Sequence, residues 1–172
     1  NFTYNVNMAE FGLRYDFSFA RTGLTIRQSG KKTTFIEQAS GSLISDTRTR
    51  FIAPDNRNNV GRGGITLITY FDLNGNGTRD KGEQKVPGLN LRAGGGKVMI
   101  VEKDTTIRIV GLEPYTSCFI ELDAGGFENI AWQLPYHTLS VTTDPNMLKT
   151  VEVPISVAGE ASGTVTLEEN GM

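Results

Sequence analysis

The chain has 172 residues and an ordinary globular composition, with 17 Lys and Arg against 19 Asp and Glu, one histidine and one cysteine. That length admits one large domain, or one domain with part of a neighbour, and a substantial buried core. A net charge of −2 offers no electrostatic reason to expect nucleic acid or an anionic membrane surface as partner. One cysteine rules out an intrachain disulfide, and no run approaches the roughly twenty apolar residues of a membrane-spanning helix. No signal peptide opens the chain, so an exported protein would be represented by its mature form or an excised piece. The charge is unevenly spread: residues 1–60 carry eight basic and five acidic side chains, and the remainder nine and fourteen. An acidic second part suits a cation binder.

Residues 1–46 alternate with period two. In residues 11–19, Phe11, Leu13, Tyr15, Phe17 and Phe19 fall on odd positions, with small or charged residues between them. This alternation predicts strands with one apolar and one wet face. Residues 2–8, 24–27 and 33–36 continue the pattern, with Gly23 and residues 29–32 as turns. Two readings fit these hairpins. One is a soluble antiparallel sheet with one face buried; the other is a set of strands from an outer-membrane barrel, apolar outside and polar within. Under the second reading, membrane contact would be through residues 1–46 alone. From about Arg48 to Gly64 the chain is rich in turn formers, which predicts a linker and a domain boundary near residue 61.

The second part opens on Ile65–Phe71, a β-branched and aromatic strand. It runs directly into Asp72-Leu73-Asn74-Gly75-Asn76-Gly77-Thr78-Arg79-Asp80-Lys81-Gly82-Glu83, in which oxygen-bearing side chains occupy positions 1, 3, 5, 9 and 12 and glycine position 6. This is the spacing of an EF-hand calcium loop. Ca²⁺ takes six to eight hard oxygen ligands, so Asp72, Asn74 and Asn76, the carbonyl of Thr78, Asp80 and both oxygens of Glu83 would surround one ion. The alternative is a solvated Asn/Gly/Asp turn, since those residues dominate turns without any metal. Position 8 is Arg79, where EF-hands carry an apolar residue, and strands replace the flanking helices. Short strands follow over residues 89–93, 97–101, 105–110, 117–122, 139–142 and 149–153, separated by Gly and Pro. They predict an all-β fold, an antiparallel β-sandwich preceded by antiparallel hairpins.

The order of these parts, a strand, then D-x-N-x-N-G-x-x-D-x-G-E, then V-P-G-L-x-L, then G-L-x-P-Y at residues 111–115 before an alternating strand, resembles the B-type repeats of serine-aspartate surface adhesins. These belong with the wider Cna-B, prealbumin-like modules. The likeness covers residues 64–123 closely and 124–158 more loosely. It implies a non-enzymatic, calcium-binding module of a bacterial cell surface, with the six residues named above as ligands. It further implies neighbouring modules of the same parent protein as partners, a structural spacer or adhesive role, and a surface protein or glycan as possible target. An intramolecular Lys–Asn isopeptide bond, found in many relatives, would need a lysine in the first strand, and residues 65–71 contain none. Residues 157–167 look like the first strand of a further copy, which divides the chain at 1–60, 61–158 and 159–172. The alternating strands ahead of the module are also loosely similar to usher-like envelope proteins of Gram-negative bacteria, which implies a role in outer-membrane assembly or export.

Other candidates read more simply as structure. His137 has no nucleophile motif or second imidazole near it. Gly94–Gly96 precede a strand, so they offer phosphate no helix N-terminus. Glu121 and Asp123 share a strand face, as a glycosidase pair might, yet lack an acid/base partner. Trp132 and Tyr136 are candidates for an exposed sugar-stacking platform, with a sandwich-core tryptophan as the commoner case.

Overall fold

A computed structural model describes residues 7–101, 105–159 and 162–164. Its thirteen strands are β1 (Met8–Asp16), β2 (Arg21–Ser29), β3 (Lys32–Ser40), β4 (Ser42–Asp46), β5 (Phe51–Asp55), β6 (Gly63–Phe71), β7 (Asn90–Ala93), β8 (Lys97–Val101), β9 (Thr106–Leu112), β10 (Ser117–Asp123), β11 (Trp132–Gln133), β12 (Thr138–Thr142) and β13 (Leu148–Val157). The fold is all-β. The expected strand over residues 2–8 falls largely outside the described residues, as do residues 160–161 and 165–167 of the expected further copy at 157–167.

Two sheets make the sandwich, one in the order β11-β13-β6-β9-β8 and the other β12-β10-β7. Alternate residues of β6, β9 and β13 point toward β10 and β12. Ile65, Leu67, Ile109, Ile120, Val153 and Ile155 form the buried centre, each at most 1% exposed. Burial on this scale is the main favourable term in the fold. Pairings are antiparallel except that β13 lies parallel to β6, from Leu148 beside Gly64 to Ile155 beside Phe71.

The central strand β6 is buried on both faces, because β4 and β5 pair into a hairpin covering the outer side of the larger sheet. Residues 48–64 were expected to be loop throughout, and β5 occupies part of them. The turn formers there mask a short alternation, Phe51 and Ala53 half-buried and Ile52 exposed. Pro54 is tolerated because β5 is an edge strand of a two-stranded sheet.

Two polar anchors hold this hairpin. Arg108 of β9 is fully buried, its guanidinium 3.9 Å from the Phe51 ring centroid and its Nη2 donating to Thr49 Oγ1 at 2.9 Å. Thr49 in turn donates to Asp46 Oδ2 at 2.7 Å. At the other end the buried carboxylate of Asp55 accepts from Asn59 Nδ2 at 3.0 Å and from Lys97 Nζ at 3.3 Å. Burial pushes the Asp55 carboxyl up, but the Asn59 and Arg57 N–H donors and the Lys97 charge outweigh it and leave it below its ordinary value. A carboxyl depressed in the fold stabilises fully above its unfolded value of about 4, and the contribution is lost as pH falls through the folded value. Substituting Asp55→Asn is therefore expected to flatten the decline of Tm between about pH 5 and pH 3, and an unchanged acid limb in thermal melts would remove Asp55 as its source.

The N-terminal strands form a separate sheet, β1-β2-β3, two hairpins in full register from Met8 opposite Ser29 to Arg21 opposite Ser40. A strand had been expected to run through Phe19, but β1 stops at Asp16 and Phe17 N–H closes a turn onto the Ala20 carbonyl at 2.8 Å. The buried face expected of a soluble sheet is not present: every residue of β1 and β3 is exposed.

Candidate metal centre

The end of β6 positions the acidic loop. Residues 84–86 return antiparallel beside residues 69–71: Phe71 N–H donates to the Gln84 carbonyl and Val86 N–H to Thr69, both at 3.0 Å. Asp72 N–H donates to Ile155 of β13 at 3.1 Å, so the first loop residue is part of the sheet. The twelve residues between project as a closed loop whose ends cannot drift apart. Gly77 takes φ of +70° at the reversal, a conformation that glycine adopts without the Cβ penalty.

Inside the loop the carboxylates collect backbone donors. Asp72 accepts from Asn76 N at 3.2 Å and Gly77 N at 2.8 Å. The amide oxygens of Asn74 and Asn76 accept from Asn76 N at 3.1 Å and Thr78 N at 2.7 Å. Glu83, only 7% exposed, spans the loop, one oxygen accepting from Leu73 N at 3.0 Å and the other from Asp80 N at 2.8 Å. Asp80 accepts the side-chain amides of Asn74 at 2.7 Å and Asn76 at 2.8 Å on a single oxygen. All six residues expected as ligands are thereby tied into one network, Thr78 through its backbone N–H while its side chain stays exposed.

The arrangement has the right chemistry for a hard cation, though its carboxylates do not yet converge. Among the described residues no three His, Cys, Asp or Glu side chains stand as a metal-holding group, because two NH₂ groups fill the space beside Asp80 and backbone N–H groups occupy the rest. Those donors supply the positive ends that a cation would supply. Every side chain facing the loop interior nevertheless offers oxygen, and no Lys or Arg among the described residues forms an ion pair with Asp72, Asp80 or Glu83. Beneath the loop, the fully buried Tyr70 hydroxyl has no hydrogen-bond partner. Burial first, and then the negative charges of Asp72, Glu83 and Glu152, push its phenol above the ordinary value. An oxygen-lined loop with no ion-paired Lys or Arg among the described residues, beside an orphaned hydroxyl, has the donor chemistry of a hard-cation site.

Arg79, the departure at position 8, reaches Glu152 of β13 at 4.0 Å. The loop is thus strapped to its own sandwich. Neither Tyr70 nor Glu152 was legible as part of this site: Tyr70 reads as one more aromatic strand residue, and Glu152 is distant in sequence and adjacent only through the parallel β6–β13 pairing.

The remaining candidates have structural partners. Trp132 and Tyr136 are half-buried and pack against the core, Trp132 edge-on to Phe71 and Phe127 at centroid distances of 5.0 and 6.0 Å. Glu121 pairs with Arg92 at 3.9 Å on the surface, and Asp123 caps a 3₁₀ turn through Gly125 N at 2.9 Å. The Cys118 thiol is buried, which pushes it up.

No family model matches the chain, and no curated protein matches it. Among solved structures it is similar to GBS52, the minor pilin of the Gram-positive pathogen Streptococcus agalactiae, with 12% identity and a TM-score of 0.45. The likeness covers 86% of this chain and 63% of the pilin. It is a loose one, and the functional reading rests on this chain's own residues.

Proposed function

We propose that residues 61–158 are a calcium-stabilised, non-enzymatic structural module of a bacterial surface or secreted protein, of the B-type repeat class that its motifs resemble. The observation that carries the proposal is the clamp made by Glu83. A nearly buried carboxylate bridges the two halves of an oxygen-lined loop, near two further carboxylates that have no ion-paired Lys or Arg among the described residues. Ca²⁺ would be held by Asp72, Asn74, Asn76, Thr78, Asp80 and Glu83, and would supply charge neutralisation and stiffness at one end of the sandwich. The role that follows is that of a spacer between neighbouring modules, with millimolar calcium outside a cell sufficient for sites of about 10⁻⁴ to 10⁻³ M affinity.

Trypsin provides the test, because Arg79 and Lys81 lie inside the loop. Binding to the closed form alone slows cleavage there by 1+[Ca²⁺]/Kd, about tenfold at 1 mM if Kd is about 10⁻⁴ M. Equal rates of cleavage after residues 79 and 81 in calcium and in EGTA would reject the proposal.

A further inference from the structure

The N-terminal sheet is built unlike the rest of the chain. Residues paired across its strands share a face, so the registers assign every side chain to one side or the other. Phe11 lies opposite Ile26 and Ile26 opposite Phe35; Leu13 lies opposite Leu24; Tyr15 continues the same face toward its end. The other face carries Glu10, Arg14, Asp16, Arg21, Arg27 and Lys32, with ion pairs Arg27–Glu10 at 2.9 Å and Arg21–Asp16 at 3.7 Å. The apolar side is uncovered, with Phe11, Leu13, Tyr15 and Phe35 each more than half exposed.

This sheet does not lie on the sandwich. Among the described residues none of its strands packs along another sheet. It meets the rest of the chain at one end, where Asn56 Nδ2 donates to the Phe17 carbonyl at 2.7 Å and Gly41 approaches the Phe19 carbonyl closely. At that same end Tyr15, Phe17 and Phe19 form a ladder of rings, with centroids 4.5 and 5.2 Å apart. The opposite end is the tight turn at Gly30 and Lys31.

We propose that β1, β2 and β3 are wall strands of a transmembrane β-barrel, with the face of Phe11, Leu13, Leu24, Ile26 and Phe35 against lipid hydrocarbon and the charged face toward the lumen. Three independent features select lipid over a protein surface. Each strand has nine residues, within the roughly 9–11 that a tilted strand needs to cross a bilayer. The aromatic ladder stands at one boundary of the apolar face, where barrels carry their aromatic girdle. The charges are confined to one side, apart from Glu37, which lies opposite Leu24 three residues from the sandwich end. An acidic residue that close to the interface costs a barrel little. Ile36 and Met8 are the apolar residues on the lumen side. Backbone groups at a free edge cannot be left unpaired in hydrocarbon, so when the chain alone enters a bilayer the edges β1 and β3 pair between copies of the chain. The sandwich then stands in water beside the aromatic boundary.

The test uses the whole chain, refolded from urea into phosphatidylcholine vesicles in EGTA, so its outcome does not depend on calcium. With Cys118→Ser as background, a fluorophore is placed at Leu13→Cys or Arg14→Cys and challenged with a nitroxide on the lipid acyl chain. The chain should float with the vesicles, and quenching at position 13 should exceed that at position 14 at least twofold. Leu13→Arg should lower the floated fraction several-fold and Glu37→Leu should raise it, with the sandwich's melting unchanged in both. A chain that stays unfloated, whether as a monomer or as a dimer closing two apolar faces together, overturns the proposal. So does equal quenching at the two positions.

Discussion

Calcium at 10 mM is expected to raise the Tm of the sandwich by about 10–20 °C over EGTA, with no comparable effect in Asp72→Asn or Glu83→Gln. An ion that binds only the folded loop stabilises by RT ln(1+[L]/Kd), about 2.7 kcal/mol at a hundredfold excess over a Kd of about 10⁻⁴ M. A domain of about 100 residues shifts by about 4–8 °C per kcal/mol. Each substitution removes the charge, keeps one of the two acceptor oxygens and sets an NH₂ group against the other loop N–H, so the chelated variants should melt below the chelated parent and each variant is compared with itself in calcium and in EGTA. Asp72 holds the reversal at Asn76 and Gly77, and Glu83 joins Leu73 to Asp80. Melts that superimpose with and without calcium would end the metal reading and leave the loop as an Asx-rich turn.

Arg108→Ala is expected to cost about 3–5 kcal/mol, the range found when one member of a buried charged network is removed, and to lower Tm by more than about 10 °C. The guanidinium is fully buried between β9 and the hairpin of β4 and β5, over Phe51 and bonded to Thr49. Truncation opens a cavity at the sheet surface and removes the attraction to the Phe51 ring, worth about 2 kcal/mol when desolvated. Phe51→Ala should cost less, and the double variant less than the sum, because both delete the same contact. Hydrogen exchange would then show residues 42–55 opening ahead of the sandwich. A loss below about 1 kcal/mol would mean that the hairpin is held elsewhere.

The sandwich strands were readable because their alternation is dense and their boundaries carry Gly and Pro. Strands at 97–101 and 117–123 lie where the pattern placed them. The loop was readable for a different reason: its donors are separated by fixed offsets within twelve residues, so no tertiary information is needed. β5 was hidden because Pro54, Asp55 and Asn56 read as a turn, and only contact with Arg108 and Lys97 makes them an edge. Arg108 carried no such local signal. Its partners lie in the hairpin, more than fifty residues earlier, and no local pattern announces a buried guanidinium. The N-terminal alternation was clear, but alternation fixes which side chains share a face and not what covers that face.

The parallel pairing of β6 and β13 bears on how such a module carries load. The chain enters the sandwich at the start of β6 and leaves it at the end of β13, and those two points lie at opposite ends of one ladder of eight paired residues. A pull applied through residues 63 and 157 therefore drags two bonded strands lengthwise past each other. The backbone hydrogen bonds resist together, where a hairpin pulled at its open end would unzip them one after another. The acidic loop sits where Asp72 bonds to Ile155, at the far end of that ladder, so a cation there would knot the seam at the point where the outgoing strand takes the strain.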